Sequence, residues 1–304
     1  MRALPLVWAL SLASCGWNAA GSTGCRPEGD ARILPDILGE TSGVAWSRER
    51  RDVLLTHNDG GDGPVLYALN TDGTILGTIR LEGARNQDWE DVATGSCSFG
   101  SCIYVADVGD NREVRERVFL YRTEDPGSYD GSTQVADEFP MIFPDGPRDA
   151  EALLVLPGEE VFLITKGRNG PAALYRYPPP LRPGEAVTLE QVQVLSRARV
   201  PLPQQITGAD ATPDGKLVVV RSYRDLRFYS VDGGRLLPLE GARVRLHTLN
   251  EVQGEAVGLG PLGRVALTSE AAMGQPAFLS LMRCRLQGPG GWRPAELDPT
   301  FPSP

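Results

Sequence analysis

Residues 88–94 read D-W-E-D-V-A-T, three acids and a tryptophan set directly before a short apolar run. Four other segments share this form: E-T-S-G-V-A-W (40–46), D-A-E-A-L-L-V (149–155), T-G-A-D-A-T-P (207–213) and Q-G-E-A-V-G-L (253–259). They recur every ~47 to ~61 residues, the spacing of propeller blades. After the first come strand-like runs at 53–56, 65–69 and 75–81. After the second come runs at 103–108, 118–122 and 138–143. Four short strands per repeat, divided by Gly, Asp and Pro turns, predict an all-β chain folded as a five-bladed β-propeller. A sixth blade could lie within the long insertions near 125–148 or 178–206.

The last repeat is one strand short, with runs at 255–259, 264–268 and 277–284. Residues 31–37, ahead of the first repeat, can supply the fourth strand. One blade would then be built from both chain ends, which removes an exposed sheet edge.

The cysteines fit this closure. At the N-terminus, Met1-Arg2 and the apolar run 3–12 form a signal-like segment too short to span a bilayer. It ends in L-A-S-C (12–15), which resembles the bacterial lipobox and implies lipidation at Cys15, with an ordinary cleaved signal as the alternative. Residues 1–15 are thus read as signal and lipobox, 16–30 as a tether, 31–287 as a single propeller domain, and 288–304 as a Pro/Gly-rich tail. The expected location is the bacterial cell envelope, anchored to the membrane through the lipid alone, or the secreted space. Cys25, Cys97, Cys102 and Cys284 remain, an even number in an exported chain, so disulfides are expected. Cys97 and Cys102 flank a hairpin-sized loop, leaving Cys25 to join Cys284 and lock the seam. A zinc site is the alternative, but the spacing matches no common zinc motif.

The net charge is -9 with no basic stripe, which argues against nucleic acid as a partner. The expected partners are a metal cation and an anionic small molecule, and the chain is read as a monomer. In a propeller, the loop leading into the inner strand and the loop between second and third strands lie on one face. The second set reads H-N-D-G-G-D (57–62), D-V-G-D-N-R (107–112), T-K-G-R-N-G (165–170), R-S-Y-R-D (221–225) and T-S-E-A-A-M-G (268–274). Both sets are polar in every blade and converge on one mouth.

Ser42, Glu90, Glu151 and Glu255 fall at matching inner-strand positions; Thr207 or Asp210 is the fifth. Carboxylates around one axis repel unless a cation, shared protons or water intervene. Hard oxygen donors from several strands suit Ca²⁺, while two histidines and few thiols disfavour zinc or copper. The bland reading is that each acid accepts backbone amides of a neighbouring blade. The outer ring gives candidate ligand contacts: His57, Asn58, Asp59, Asp107, Asp110 and Asn111 from blades one and two, Lys166, Arg168, Arg221 and Tyr223 from three and four, and Glu270 from five. A metal beside paired cations suits a phosphoryl group or carboxylate, although N-D-G-G-D is also a good Asx-turn sequence. His57 is the expected functional histidine, and His247 is expected in an outer strand as a structural one.

S-G-V-A, D-W-E-D-V-A, D-A-E-A-L and G-E-A, with N-D-G-G-D between, resemble the exported bacterial phytase-like (esterase-like) propellers, as short islands over most of the mature chain. The ring Ser42, Glu90, Glu151, Glu255 also looks like that around the central calcium of soluble calcium-activated nucleotidases. The resemblance implies a bound calcium more than nucleotide hydrolysis. Two functions compete: a non-catalytic surface binding module, which is favoured, and a calcium-dependent phosphoester hydrolase with Lys166 and Arg221 holding the anion. No G-x-S-x-G or P-loop is present.

Overall fold

The structure, a computed structural model, describes residues 24–249 and 251–285. Cys15, the signal segment and the 288–304 tail lie outside the described residues. Strands pair into five antiparallel-cored sheets, one per sequence repeat. Blade one is Thr41–Trp46, Val53–Asn58, Val65–Asn70 and Ile75–Glu82; blade two is Trp89–Cys97, Gly100–Asp107, Val118–Glu124 and Asp137–Ile142. Blade three is Ala150–Leu156, Glu160–Thr165, Pro171–Arg176 and Glu190–Arg199, and blade four is Ile206–Ala211, Leu217–Ser222, Asp225–Asp232 and Arg235–Arg245. The two insertions that could have held a sixth blade instead lengthen existing ones. Ser132–Val135 adds a parallel strand to the rim of blade one, and Val187–Thr188 does so for blade two.

Blade five closes the ring as the sequence implied, with one change of register. Gln253–Leu259, Arg264–Glu270 and Phe278–Arg283 are completed by two short N-terminal strands, Arg26–Pro27 and Arg32–Ile33, both antiparallel to Phe278–Arg283. Residues 26–27, assigned to the tether, therefore belong to the seam, and Asp36–Leu38 forms a short 3-10 turn. Cys25 is bonded to Cys284 beside this pairing, and Cys97 to Cys102 across its hairpin.

The core is a set of five apolar layers, one between each pair of adjacent blades. Strand alternation builds it: Val53 and Leu55 pack toward blade two, while Leu54 between them packs toward blade five. Trp89 lies fully buried in the layer between blades one and two. The inner strands touch around the axis, and a five-membered ring is narrow enough that those of blades two and four also meet.

Two features of the inner strands direct the polar groups. First, each carries one extra residue relative to its partner strand, a β-bulge, at Ser42–Gly43, Glu90, Glu151, Thr207 and Glu255–Ala256. A bulge re-aims the side chain it carries, so the five equivalent residues are set apart from strand alternation. The bulge also decides the fourth blade: Thr207 is the equivalent residue and Asp210 is not. Second, buried aspartates stitch the blades. Asp91 accepts the amides of Val92 (2.9 Å), Leu153 in blade three (2.9 Å) and Ala209 in blade four (3.3 Å). Asp210 accepts those of Ala211 and of Leu259 in blade five, both at 2.7 Å. Close strand approach leaves no room for side chains: a Cβ on Gly258 would fall 2.8 Å from the Val44 carbonyl oxygen.

Asp91→Ala leaves three buried amides without their acceptor and is expected to lower the unfolding free energy by about 3 kcal/mol or more. Glu116→Ala on the surface should change it by under about 0.5 kcal/mol. Urea unfolding of both variants checks this, and a loss below about 1 kcal/mol for Asp91→Ala would remove the carboxylate from that role.

Candidate functional site

The bulges and the two loop sets meet in a cavity of about 370 Å³ at one mouth of the ring. Its acidic wall is Asp59, Glu90, Glu151, Glu255 and Glu270. Lys166, Arg168 and Arg199 face it, with Asn111, Gln205, Tyr223 and Gln253 between. Three of the five equivalent bulge residues thus share one space. The other two lie behind it: Ser42 donates to the Glu90 carbonyl at 2.8 Å and lies 3.4 Å from its carboxylate. Thr207 is 1% exposed, and its hydroxyl has no hydrogen-bond partner.

Lys166 organises the charges. Its Nζ sits 2.6 Å from Glu151 Oε1. Burial would lower the ammonium's pKa, but the Glu151 and Glu90 carboxylates outweigh it and hold the group above its ordinary value. One ammonium does not balance three buried acids. Burial first, then the Glu151 and Asp59 charges, pushes Glu90 well above the usual carboxylate range. Glu151 is raised chiefly by burial, against the pull of Lys166, and Glu255 is raised by burial as well. Burial, with Glu255 and Asp59 nearby, brings Glu270 to about 8.

Asp88, which the sequence reading left out of the candidate ligands, is part of this cluster. Oxygens of Asp59, Asp88 and Glu90 lie within 4.8 Å of one another. Burial and the Asp59 charge raise Asp88 to about 7. The loops are shaped around these groups: a Cβ on Gly109 would lie 2.2 Å from Glu90 Oε1 and 2.5 Å from Asp88 Cγ.

Several expected ligand contacts belong to the framework instead. Arg221 is fully buried and does not reach the cavity. Its guanidinium donates to the carbonyls of Ala256 (2.6 Å) and Thr268 (3.1 Å) and pairs with Glu251, bracing blade four on blade five. Gly254 makes room for it, since a Cβ there would fall 1.8 Å from Nη2. Asp107 pairs with Arg115 at 2.9 Å and accepts the amides of Gln87 and Asp88. Asp110 accepts the Arg115 amide at 2.6 Å. Asn58 donates to the Ile37 carbonyl at 2.7 Å and to Asp62 at 2.6 Å. His57 is fully buried against Trp89, and burial lowers it to about 4, so it is a neutral wall residue. His247 lies exposed in the 3-10 turn His247–Leu249, not in a strand.

Arg199, Leu202, Gln205 and Gln253 line the cavity without having been singled out. Leu202 and Gln205 lie in the segment that leads into the inner strand of blade four, Arg199 ends the outer strand before it, and Gln253 opens the inner strand of blade five; following the entry segments back to the preceding strand would have found the first three.

The fold and mouth define a five-bladed β-propeller with an acid-rich polar cavity at one end of its axis. No family model matches the chain, and no curated protein matches it. Among solved structures, the major allergen Mala s 1 of Malassezia sympodialis is similar at 9% identity and a TM-score of 0.52, over 83% of this chain and 95% of that one. The PQQ-bound aldose sugar dehydrogenase of Streptomyces coelicolor matches at 11% identity and a TM-score of 0.48, over 85% and 99%. A luciferin-regenerating enzyme matches at 9% and 0.49, over 85% and 94%. At such identities the likeness to Mala s 1 is one of fold alone.

The raised acids set a pH dependence. A carboxyl whose folded pKa exceeds its unfolded value binds more protons when folded, so stability is greatest below the unfolded pKa and falls as pH rises through the folded one. With Asp88 at about 7 and Glu270 at about 8, the metal-free protein is expected to lose thermal stability steadily from pH 5 to pH 8. Melting scans in EDTA test this, and a Tm that rises over that range would contradict the charge assignment.

Proposed function

We propose that this chain is a binding propeller whose mouth takes a hard divalent cation, calcium by its donor chemistry, together with an anionic small molecule. The observation that carries the reading is the convergence of Glu90, Glu151 and Glu255 from three blades on one cavity with a single buried ammonium among them. The groups present fit the cation. The donors are oxygens, as Ca²⁺ prefers, and Gly60 and Gly109 leave the space beside Asp88 free of side chains. Lys166 already answers Glu151, so the cation would sit toward Glu90, with Asp59 and Asp88, instead of centrally among Ser42, Glu90, Glu151, Thr207 and Glu255. Arg168 and Arg199, with Lys166, face the acids and would hold the anionic group in place of Arg221.

A second reading, calcium-dependent phosphoester hydrolysis, is favoured by Glu270, whose carboxyl at about 8 can give or take a proton near neutral pH in the cavity. The cation would supply charge to polarise the phosphoryl oxygen. The resemblance to phytase-like propellers belongs to the same proposal. Export as a lipoprotein, with lipid on Cys15 and 31–287 as the working domain, is supported by the two disulfides, which suit an oxidising compartment.

Calcium at 100 times its Kd is expected to stabilise the protein by about 2.7 kcal/mol, a rise of roughly 5 °C in Tm over the EDTA sample. The shift should be larger at pH 8 than at pH 6, because the cation competes with protons on the raised acids. Glu90→Gln should abolish it, and Lys166→Met should tighten calcium binding by removing a competing positive charge. Elemental analysis with calorimetry checks these outcomes; no calcium-dependent shift at either pH would sink the reading. Turnover of p-nitrophenyl phosphate that needs calcium and is lost in Glu270→Gln would favour the hydrolase over the binder.

A further inference from the structure

A second cleft of about 290 Å³ lies beside the mouth, lined by Pro203, Tyr223, Arg224, Leu246, His247 and Glu251. Its chemistry differs from that of the main cavity. Glu251 is held by Arg221, which removes its charge from play, and Leu246 is a buried apolar floor. Proline, tyrosine, arginine and histidine offer ring or planar surfaces, on which an aromatic ring stacks well.

The two spaces adjoin. Tyr223 lines both. Leu202 borders the main cavity and Pro203, the next residue, borders the cleft; Gln253 and Glu251 divide in the same way. Both neighbouring pairs belong to segments leading into inner strands, so one wall of backbone serves both spaces. Tyr223 thus stands between the cleft and the cavity that Lys166, Arg168 and Arg199 line.

We propose that the cleft is the second half of a bipartite site and takes an aromatic ring carried directly on the anionic head, so that the preferred ligand class is an aryl phosphate or phosphonate. This rests on the reading of the main cavity as an anion site. Arg224 and His247 stack on the ring, and Tyr223 contacts the junction between ring and head. A small anion with no ring would fill only the main cavity.

The test compares phenylphosphonate with methylphosphonate, equal in charge and inert to hydrolysis, by calorimetry on the calcium-loaded mature chain. Phenylphosphonate is expected to bind about 30-fold tighter, equivalent to about 2 kcal/mol. His247→Ala, which strips one ring surface from the cleft, should cut that advantage about tenfold, equivalent to about 1.4 kcal/mol, while leaving methylphosphonate affinity unchanged. Equal affinity of the two phosphonates overturns the aryl subsite and leaves the anion site standing. So does an advantage undiminished in His247→Ala. If neither phosphonate binds, the anion site itself fails and the subsite falls with it.

Discussion

The carboxylate of Asp91 holds the axis together. It takes amide hydrogens from its own blade and from two others, and three inner strands can approach so closely only because one small acceptor satisfies all three donors. A buried amide left unmet would cost about 1–3 kcal/mol, so the acid at the centre is a condition of the ring's closure and not an addition to it. Asp210 extends the device from blade four to blade five. With the strands fixed at this separation, the bulge above Asp91 has no freedom left, and Glu90 is carried to the mouth. The two adjacent acids of D-W-E-D-V-A-T therefore do opposite work: Asp91 spends its lone pairs on the fold, and Glu90 faces the cavity.

This division answers the bland reading of an acid at a strand start. For Asp91, Asp149 and Asp210 that reading is correct, since each accepts a backbone amide of a neighbouring blade. For Glu90, Glu151 and Glu255 it is not, because the longer side chains on bulged positions reach into the cavity. The length of the side chain and the extra residue in the strand act together. Aspartate in regular register reaches a neighbouring amide; glutamate on the bulge passes beyond it.

Much of this was legible in the sequence because propellers repeat. Five equivalents of one motif set the blade number, the three-stranded last repeat implied closure by the N-terminus, and the cysteine count implied the seam bridge. Glu90, Glu151, Glu255 and Lys166 were placed at the mouth by topology alone. What was not legible depends on direction within a strand end. Lys166 follows the end of its strand and turns to the cavity, while Arg221, read as its loop counterpart, lies within the strand Leu217–Ser222 and turns into the blade, where Gly254 leaves a space for it. The choice between Thr207 and Asp210 needed the bulge, a matter of one residue in the ladder. The histidines depart from expectation for a similar reason: His57, next to the last residue of its strand, is buried against Trp89, and His247 follows a strand that had ended two residues earlier.

Lys166 gives the mouth its character. An internal ammonium bonded to Glu151 neutralises one carboxylate of the crowded acid cluster and leaves Glu90 and Glu255 raised. Protons and the lysine thus share one set of oxygens, and a divalent cation, on the proposed reading, would compete with both. The inner strands are joined by Asp91 and Asp210, neither of which lines the cavity. The acids that hold the ring are thereby separated from the acids that face outward, and the mouth's glutamates are not committed to the backbone amides that close the fold.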